Sequence, residues 1–266
     1  RKNKACSRED PLMKKTLILI AGLLLPVIGF AAGGGASFPN DDITIDWDDK
    51  ASMQRGVRTY VNYCMGCHEV SYSRYNRVGA DLEIDDDQLM QNLIFTTDKY
   101  GEKTKVGALM TNTMNADYAA EAFGIVPPDL SLIARSRGVD WLYNYLRGFY
   151  VDESRPYGMN NGVFEKVGMP HVLAELQGYQ VPKMGTRLNS DGEKYEVIVG
   201  FDIVKPGSLS PSEYDQTIHD SVGFLDYVSE PYRQTRHKVG TGVLIFLFIF
   251  LILAYFLKKE FWKDIN

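Results

Sequence analysis

Two cysteines and a histidine constrain this chain most, because the pattern requires the three side chains to bind one common group. Cys64, Cys67 and His68 form the pattern Cys-x-x-Cys-His. Cysteines three positions apart lie on one face of a helical turn, so both sulfurs can reach the two vinyl groups of one porphyrin. The next histidine is then carried under the ring, where its imidazole can bind the iron. The motif therefore predicts a single, covalently bound haem c.

Other chemistry for the cysteine pair finds little support in the sequence. The chain has only three cysteines, which is too few for a disulfide framework. The remaining histidines, His171, His219 and His237, lack the spacing of a metal site. A thioredoxin-like pair needs a βαβ context, whereas the residues before Cys64 have helical periodicity. An exported, anchored dithiol or metal-binding assembly protein stays open as the alternative from another class.

Two apolar runs mark the ends of the chain. Met13-Lys14-Lys15, followed by the apolar stretch Thr16 to Ala32, has the form of a secretory signal, and an uncleaved N-terminal anchor is the alternative. The second run, Gly240 to Leu257, is uncharged over 18 residues. That length is at the lower end of the roughly 17–25 residues that span a bilayer, so it predicts a transmembrane anchor.

These runs predict four segments. Residues 1–32 are predicted to form an N-terminal extension with a signal peptide, and 33–232 the exported haem domain. Residues 233–258 form the juxtamembrane segment and anchor helix, and 259–266 form a cytoplasmic tail. Because cations flank the anchor evenly, the signal sets the orientation. We expect a single-pass protein of the bacterial inner membrane with its haem domain on the periplasmic side.

Between the runs, periodicity and turn signals predict mostly helices. Ser210, Pro211 and Glu213 form a capping box with proline at the first helical position. An aromatic stripe of Trp141, Tyr145 and Phe149 has helical spacing. The predicted elements are helices at about 48–63 and 132–137, one through the aromatic stripe and one from 211 to near 231, and a β-hairpin within 186–204. Residues 96–124 predict no definite element.

The net charge of −5 argues against nucleic acid as a partner. Acidic residues cluster at 41–49 and 81–87. The second cluster is typical of a solvated helix N-terminus, where carboxylates interact favourably with the helix dipole. The alternative is a docking surface for a basic electron carrier, and both stay open.

A haem that transfers electrons needs a second axial ligand besides His68. Methionine is a common choice, and it raises the reduction potential relative to a second histidine. Met159, Met169 and Met184 are placed in loops next to glycine. Met169 is favoured because Pro170 keeps it extended and its preceding glycine permits close approach to the ring. His171 is the rival, and it would give a bis-histidine haem of lower potential.

The chain resembles the cytochrome c1 family of bacterial type. The matching stretches are Arg55-Gly56 through the haem motif, Pro127 to Ser131 with Arg135, Met169-Pro170, and Glu230-Pro231 before the anchor. The resemblance implies a mainly α fold: a cytochrome c-like haem domain with a small β-hairpin insertion and one C-terminal transmembrane helix. It implies that Cys64 and Cys67 hold the haem, that His68 and Met169 are axial ligands, and that Arg135 lies near a haem propionate.

The resemblance also implies a function. Such a chain is an electron-transfer subunit of a respiratory quinol–cytochrome c oxidoreductase, the cytochrome bc1 complex, with no catalysis of its own. It would be held in the lipid bilayer with cytochrome b and a Rieske iron–sulfur protein, and would pass single electrons from the Rieske protein to a cytochrome c. A free-standing, membrane-anchored cytochrome c that serves an oxidase or reductase is the alternative.

Overall fold

A computed structural model describes residues 40–98, 100–188 and 192–263. The predicted signal peptide and Cys6 lie outside the described residues. The helices in the described part are α1 (Lys50–Thr59), α2 (Tyr75–Leu82), α3 (Asp86–Asn92), α4 (Ala116–Phe123), α5 (Ile133–Arg137), α6 (Val139–Arg147), α7 (Ala174–Gln177), α8 (Pro211–Ser229) and α9 (Arg233–Phe261). The strands there are β1 (Val70–Arg74), β2 (Leu109–Met110), β3 (Phe149–Val151), β4 (Met159–Asn161), β5 (Gly178–Leu188) and β6 (Lys194–Pro206). They pair antiparallel as β1–β2, β3–β4 and β5–β6.

The helix predicted at about 48–63 exists, and it has two parts. Asp49 caps α1, and its carboxylate accepts a hydrogen bond from the Ser52 backbone N–H at 2.9 Å. After α1 the chain widens into a five-residue π-helical turn, Tyr60–Cys64. Such turns are rare and occur mostly at functional sites. The turn ends at the first cysteine of the haem motif, so it sets the direction in which the motif leaves the helix.

The core of the domain is the contact between α1 and α8. A Cβ atom on Gly56 would lie 2.1 Å from the Asp220 backbone oxygen, so only glycine lets the two helix backbones approach this closely. One turn further along, the rings of Tyr60 and Phe224 pack 5.4 Å apart. The second half of α8 is buried continuously. This helix therefore serves as the scaffold that α1, α5 and α6 pack against.

The predicted start of α8 is confirmed. The Ser210 hydroxyl accepts from the Glu213 backbone N–H, and the Glu213 carboxylate accepts from the Ser210 backbone N–H at 2.9 Å. Pro211 occupies the first helical turn, where its missing N–H costs nothing.

The β5–β6 hairpin is longer than its prediction. The predicted pairing covered 186–204, whereas the strands run from Gly178 to Pro206 with two register shifts. Pro182 and Gly185 interrupt the sequence alternation in β5, and neither residue is typical of a strand interior. The sequence pattern therefore predicted too short a β5, because this strand pairs even at Pro182 and Gly185.

Two short helices, α3 and α4, lie in an acidic stretch and a polar stretch of the sequence. Residues 96–124 gave no definite prediction, yet Asn115 caps α4 by accepting from the Tyr118 N–H at 2.9 Å. Asp85 caps α3 in a reciprocal box with Gln88. The acidic residues at 85–87 therefore lie at a helix N-terminus, as one of the two interpretations of that cluster predicts.

The final helix, α9, contains the apolar run. It has 29 residues, its most apolar window has a mean hydropathy of 2.6, and none of its residues is buried. By length and composition α9 can cross a membrane.

Candidate functional site

The cysteine–histidine motif forms a tight loop at the end of the π-helical turn. The backbone N–H groups of Cys67 and His68 donate to the Cys64 carbonyl oxygen at 3.0 and 2.8 Å. The Tyr60 hydroxyl reaches over the loop and donates to the His68 carbonyl oxygen at 2.7 Å. The loop conformation is therefore fixed at both of its ends.

The His68 ring is oriented by the proline motif. Its Nδ1 lies 2.7 Å from the Pro128 carbonyl oxygen, and because a carbonyl can only accept, Nδ1 carries the proton. Burial lowers the pKa of His68, which favours the neutral ring. Nε2 is thus left with a lone pair for a metal, in the tautomer that metal-binding histidines commonly adopt.

The Pro127–Ser131 stretch is tied to the strand that follows the haem motif. The Asp129 carboxylate accepts from the Ser131 N–H at 2.6 Å and from the Ser71 N–H at 3.1 Å. Burial acts to raise the pKa of Asp129, but the hydrogen bonds from Ser131 and Ser71 outweigh it and hold the pKa below its usual value. The Leu130 N–H donates to the Glu69 carbonyl at 2.7 Å. These bonds fix the Pro128 carbonyl beneath His68.

Two adjoining cavities meet at the motif. The larger has a volume of about 300 Å³ and the smaller about 80 Å³. Cys64, His68 and Met169 line both, and Cys67 lines the smaller. The rest of the larger wall is mainly apolar and includes side chains from α5, α6 and α8, such as Ile133, Leu142, Leu146 and Leu225. The four predicted haem-binding side chains therefore lie around one apolar space, which suits a flat, hydrophobic macrocycle.

Met169 is brought to the cavity by the loop before it. A Cβ on Gly168 would lie 3.2 Å from the Phe123 backbone oxygen, so the glycine lets this loop lie close to the end of α4. The Tyr145 hydroxyl donates to the Met169 Sδ at 3.4 Å.

The rival ligands lie elsewhere. Met159 is buried in a small cluster with Phe149 and Val167, and Met184 is exposed on β5. His171 stacks flat on Phe149, with ring centroids 4.8 Å apart. None of these three candidates lines either cavity.

The arginine that the resemblance places near a haem propionate is not the arginine that lines the cavity. Arg135 has Glu230 as an electrostatic neighbour and is not a lining residue of either cavity. Arg137 lines the larger cavity, with its guanidinium 5.0 Å from the centroid of the Trp141 ring. Residues two apart on a short helix point in opposite directions. Only one of Arg135 and Arg137 can therefore face the cavity, and their spacing in the sequence already indicates this. The propionate role of Arg135 stays a prediction, and Arg137 is a second candidate on position.

The chemistry of the described residues fits a haem better than a metal ion or a redox dithiol. Among the residues that the structure describes, no three His, Cys, Asp or Glu side chains are grouped so that they could hold a metal ion. Burial is the main reason that the pKa of Cys64 is raised to about 12, and the nearby Cys67 also raises it. A redox-active thiol needs a lowered pKa, so Cys64 lacks that property.

Comparison with known proteins agrees with this geometry. The model of the Cytochrome C1 family matches residues 38–265. The chain belongs to the cytochrome c1 family. It is 46% identical over 254 residues to cytochrome c1 of Allochromatium vinosum, which covers 96% of this chain and 100% of that protein. It is 43% identical over 249 residues to a Nitrosomonas europaea protein named ammonia monooxygenase gamma subunit, covering 94% of this chain and 97% of that one. Cytochrome c1 of Rhodospirillum rubrum is 24% identical over 285 residues, covering 95% and 98%.

Membership of the cytochrome c1 family confirms several predictions. The chain is the haem subunit of a bc1 complex and carries one covalently bound haem c. The mainly α fold with β-hairpins is confirmed, and so is an apolar C-terminal helix that fits a single membrane pass of an anchored subunit.

Proposed function

We propose that Cys64 and Cys67 form the thioether bonds to the haem and that His68 and Met169 are its axial ligands. One observation carries this assignment: these four side chains lie together on the walls of two adjoining cavities, and the rival ligands do not. The hydrogen bond from His68 Nδ1 to Pro128 leaves Nε2 as the iron-binding atom.

The bound haem supplies one-electron chemistry at its iron. The contribution of the chain is to hold the ligands and to keep water away. Pro128 and Tyr60 fix the position of His68 from its side chain and its backbone. The apolar side chains of α6 and α8 exclude water from the cavity, and a thioether ligand raises the reduction potential relative to a second imidazole. The site is therefore suited to a haem of high potential.

We propose that the electron comes from a Rieske iron–sulfur protein, beside cytochrome b in the same complex, and leaves to a cytochrome c. The secretory-type sequence at residues 13–32 supports a periplasmic haem domain. The acceptor would approach where the cavity opens to the surface. Ile125 lines both cavities and is 63% exposed, and its neighbour Val126 is 46% exposed. Such an apolar edge allows the short separation that electron transfer requires.

Replacing the proposed ligands tests the assignment. Met169→Leu is expected to leave the haem attached, to lower the midpoint potential and to open a coordination site, since only the sixth ligand is lost. The measurements are a pyridine haemochrome spectrum of the denatured chain and a redox titration of the purified complex. Met184→Leu is the matched control, and it should leave both unchanged because Met184 lies on β5 away from the cavities. An unchanged potential in Met169→Leu would move the ligand role to Met159, Met184 or His171.

A further inference from the structure

The hydroxyl of Tyr145 is directed at the sulfur of Met169. The O–H group donates to Met169 Sδ at 3.4 Å, and Tyr145 is itself a lining residue of the larger cavity. Among the described residues, this sulfur is the acceptor that the hydroxyl finds. The contact joins helix α6 to the loop that carries Met169, and the two residues are 24 positions apart in the chain.

The ring that carries this hydroxyl is held by two aromatic neighbours, and the backbone of Tyr145 is held by a buried amide. Trp141 stacks on Tyr145 with ring centroids 4.8 Å apart and planes 10° from parallel. Phe149 meets the ring edge-on at 5.3 Å. The fully buried Asn161 donates from Nδ2 to the Tyr145 backbone oxygen at 2.8 Å, which fixes the end of α6. The direction of the hydroxyl is therefore set by packing, before any haem is considered.

A thioether sulfur has two lone pairs, so it can bind an iron with one and accept a hydrogen bond with the other. The positive end of the Tyr145 hydroxyl faces the sulfur. Such a dipole favours the redox state with less positive charge on the iron, which is the reduced state. The surrounding wall is apolar, with Leu142, Leu146 and Val167 among its residues, and a low local dielectric strengthens the interaction.

We propose that Tyr145 is a positioning residue that raises the reduction potential of the haem by donating a hydrogen bond to its methionine ligand. The inference rests on the proposed ligand role of Met169. It adds a determinant of the potential that lies outside the haem-binding motif and outside the two axial positions.

The first test compares Tyr145→Phe with Tyr143→Phe in the intact complex. Tyr143 lies on the same helix, but its ring packs under the Arg147 guanidinium at 4.5 Å and it does not line either cavity. Removal of one ordinary hydrogen bond is expected to shift the reduction equilibrium about fivefold toward the oxidised state. At 59 mV per tenfold change for one electron, this is a fall of about 40 mV in midpoint potential. The sulfur-to-iron charge-transfer band should persist at a changed energy, and Tyr143→Phe should alter neither quantity.

The second test repeats Tyr145→Phe in a Met169→Leu background, where no sulfur is left to accept the bond. The proposal predicts that Tyr145→Phe then has no effect on the potential. A shift that persists in this background, or an unchanged potential after Tyr145→Phe alone, would overturn it. If Met169→Leu itself leaves the charge-transfer band and the potential unchanged, the ligand assignment fails instead. The two failures are therefore distinguishable.

Discussion

At the scale of single residues, the arginine that the family resemblance implies near a propionate, Arg135, is not the arginine that lines the cavity, Arg137. Arg137 lines the larger cavity, whereas Arg135 is electrostatically close to Glu230. Arg137→Gln is expected to lower the midpoint potential, because a cation near the haem favours the reduced iron. A loss of roughly tenfold in the reduction equilibrium corresponds to about 60 mV for one electron. Redox titration of the two glutamine variants is the measurement, with Arg135→Gln predicted to shift less; a larger shift from Arg135→Gln would return the propionate role to that residue.

His171 is a buried histidine whose protonation is linked to folding. Its ring is stacked on Phe149 and its Nε2 is buried without a hydrogen-bond partner. Burial lowers the pKa of His171 from 6.5 to about 4, against a smaller opposing effect of Gln177. The unfolded chain therefore binds a proton between pH 6.5 and about 4 that the folded chain does not bind. Stability from the neutral ring is fully present above pH 6.5 and is lost as the pH falls toward 4.

The expected loss is on the order of 3 kcal/mol over this interval, at about 1.4 kcal/mol for each pH unit. Guanidinium unfolding of the detergent-solubilised protein at pH 7 and pH 4.5 measures it. His171→Asn carries no titratable group, so its free energy of unfolding should fall less between the two pH values. Equal pH slopes for the two proteins would show that His171 does not contribute this loss.

At the residue scale, the sequence predicts most where a short motif specifies its own chemistry, and the haem-binding roles of the motif residues stay predictions. Cys64, Cys67 and His68 lie within five residues of the chain, and the structure places them beside Met169 on the wall of one cavity. The sequence placed Tyr145 only in an aromatic stripe and did not single out Arg137, and the reason is physical. Their roles depend on which side of a short helix meets the cavity, and that direction is set by packing against α8, which is distant in sequence.

At the scale of elements, the contact of α1 with α8 determines where the haem motif lies. Gly56→Ala would place a methyl group against the Asp220 carbonyl and the Phe224 side chain, where neither helix backbone can move aside independently. Overpacking of this kind is expected to destabilise the domain by about 1–3 kcal/mol. Denaturant unfolding is the measurement. Gly107→Ala is the control, since nothing lies within 4 Å of a Cβ there, and equal stability of the two variants would contradict the account.

Elements with a local signal were predictable, and those that depend on tertiary contacts were less so. The start of α8 follows from Ser210, Pro211 and Glu213 within four residues, and the structure confirms it. The π-helical turn before Cys64 has no such signature in the sequence. The end of β5 that is far from the hairpin turn pairs despite Pro182, because β6 continues beside it. The sequence pattern of one strand does not reveal how far its partner extends.

At the scale of the whole molecule, the proposed acceptor surface is apolar, and carboxylates of both acidic clusters have structural partners. Asp85 caps α3, and Asp41 pairs with Arg147 at 2.5 Å. No residue of α3 lines either haem cavity. The rate of reduction of an added cytochrome c should therefore depend more on the cavity edge than on these carboxylates.

Ile125→Asp tests this directly, because it would bury a charge in the transient interface. We expect the second-order rate of cytochrome c reduction to fall by about tenfold, equivalent to roughly 1.4 kcal/mol. The double variant Asp86→Asn and Asp87→Asn, which retains the Asp85 cap, should change the rate and its salt dependence little. A steep loss in the double variant, with Ile125→Asp unaffected, would instead make α3 the docking surface.

The central claim is that one haem lies in this chain between His68 and Met169. The direct measurement is near-infrared magnetic circular dichroism of the purified complex, taken as the difference between the states with haem c oxidised and reduced so that the other iron centres cancel, for the native chain and for Met169→Leu. The account predicts the transition of a histidine–methionine haem in the native chain and its disappearance in Met169→Leu. A bis-histidine transition in the native chain, or a spectrum unchanged by the substitution, would contradict it.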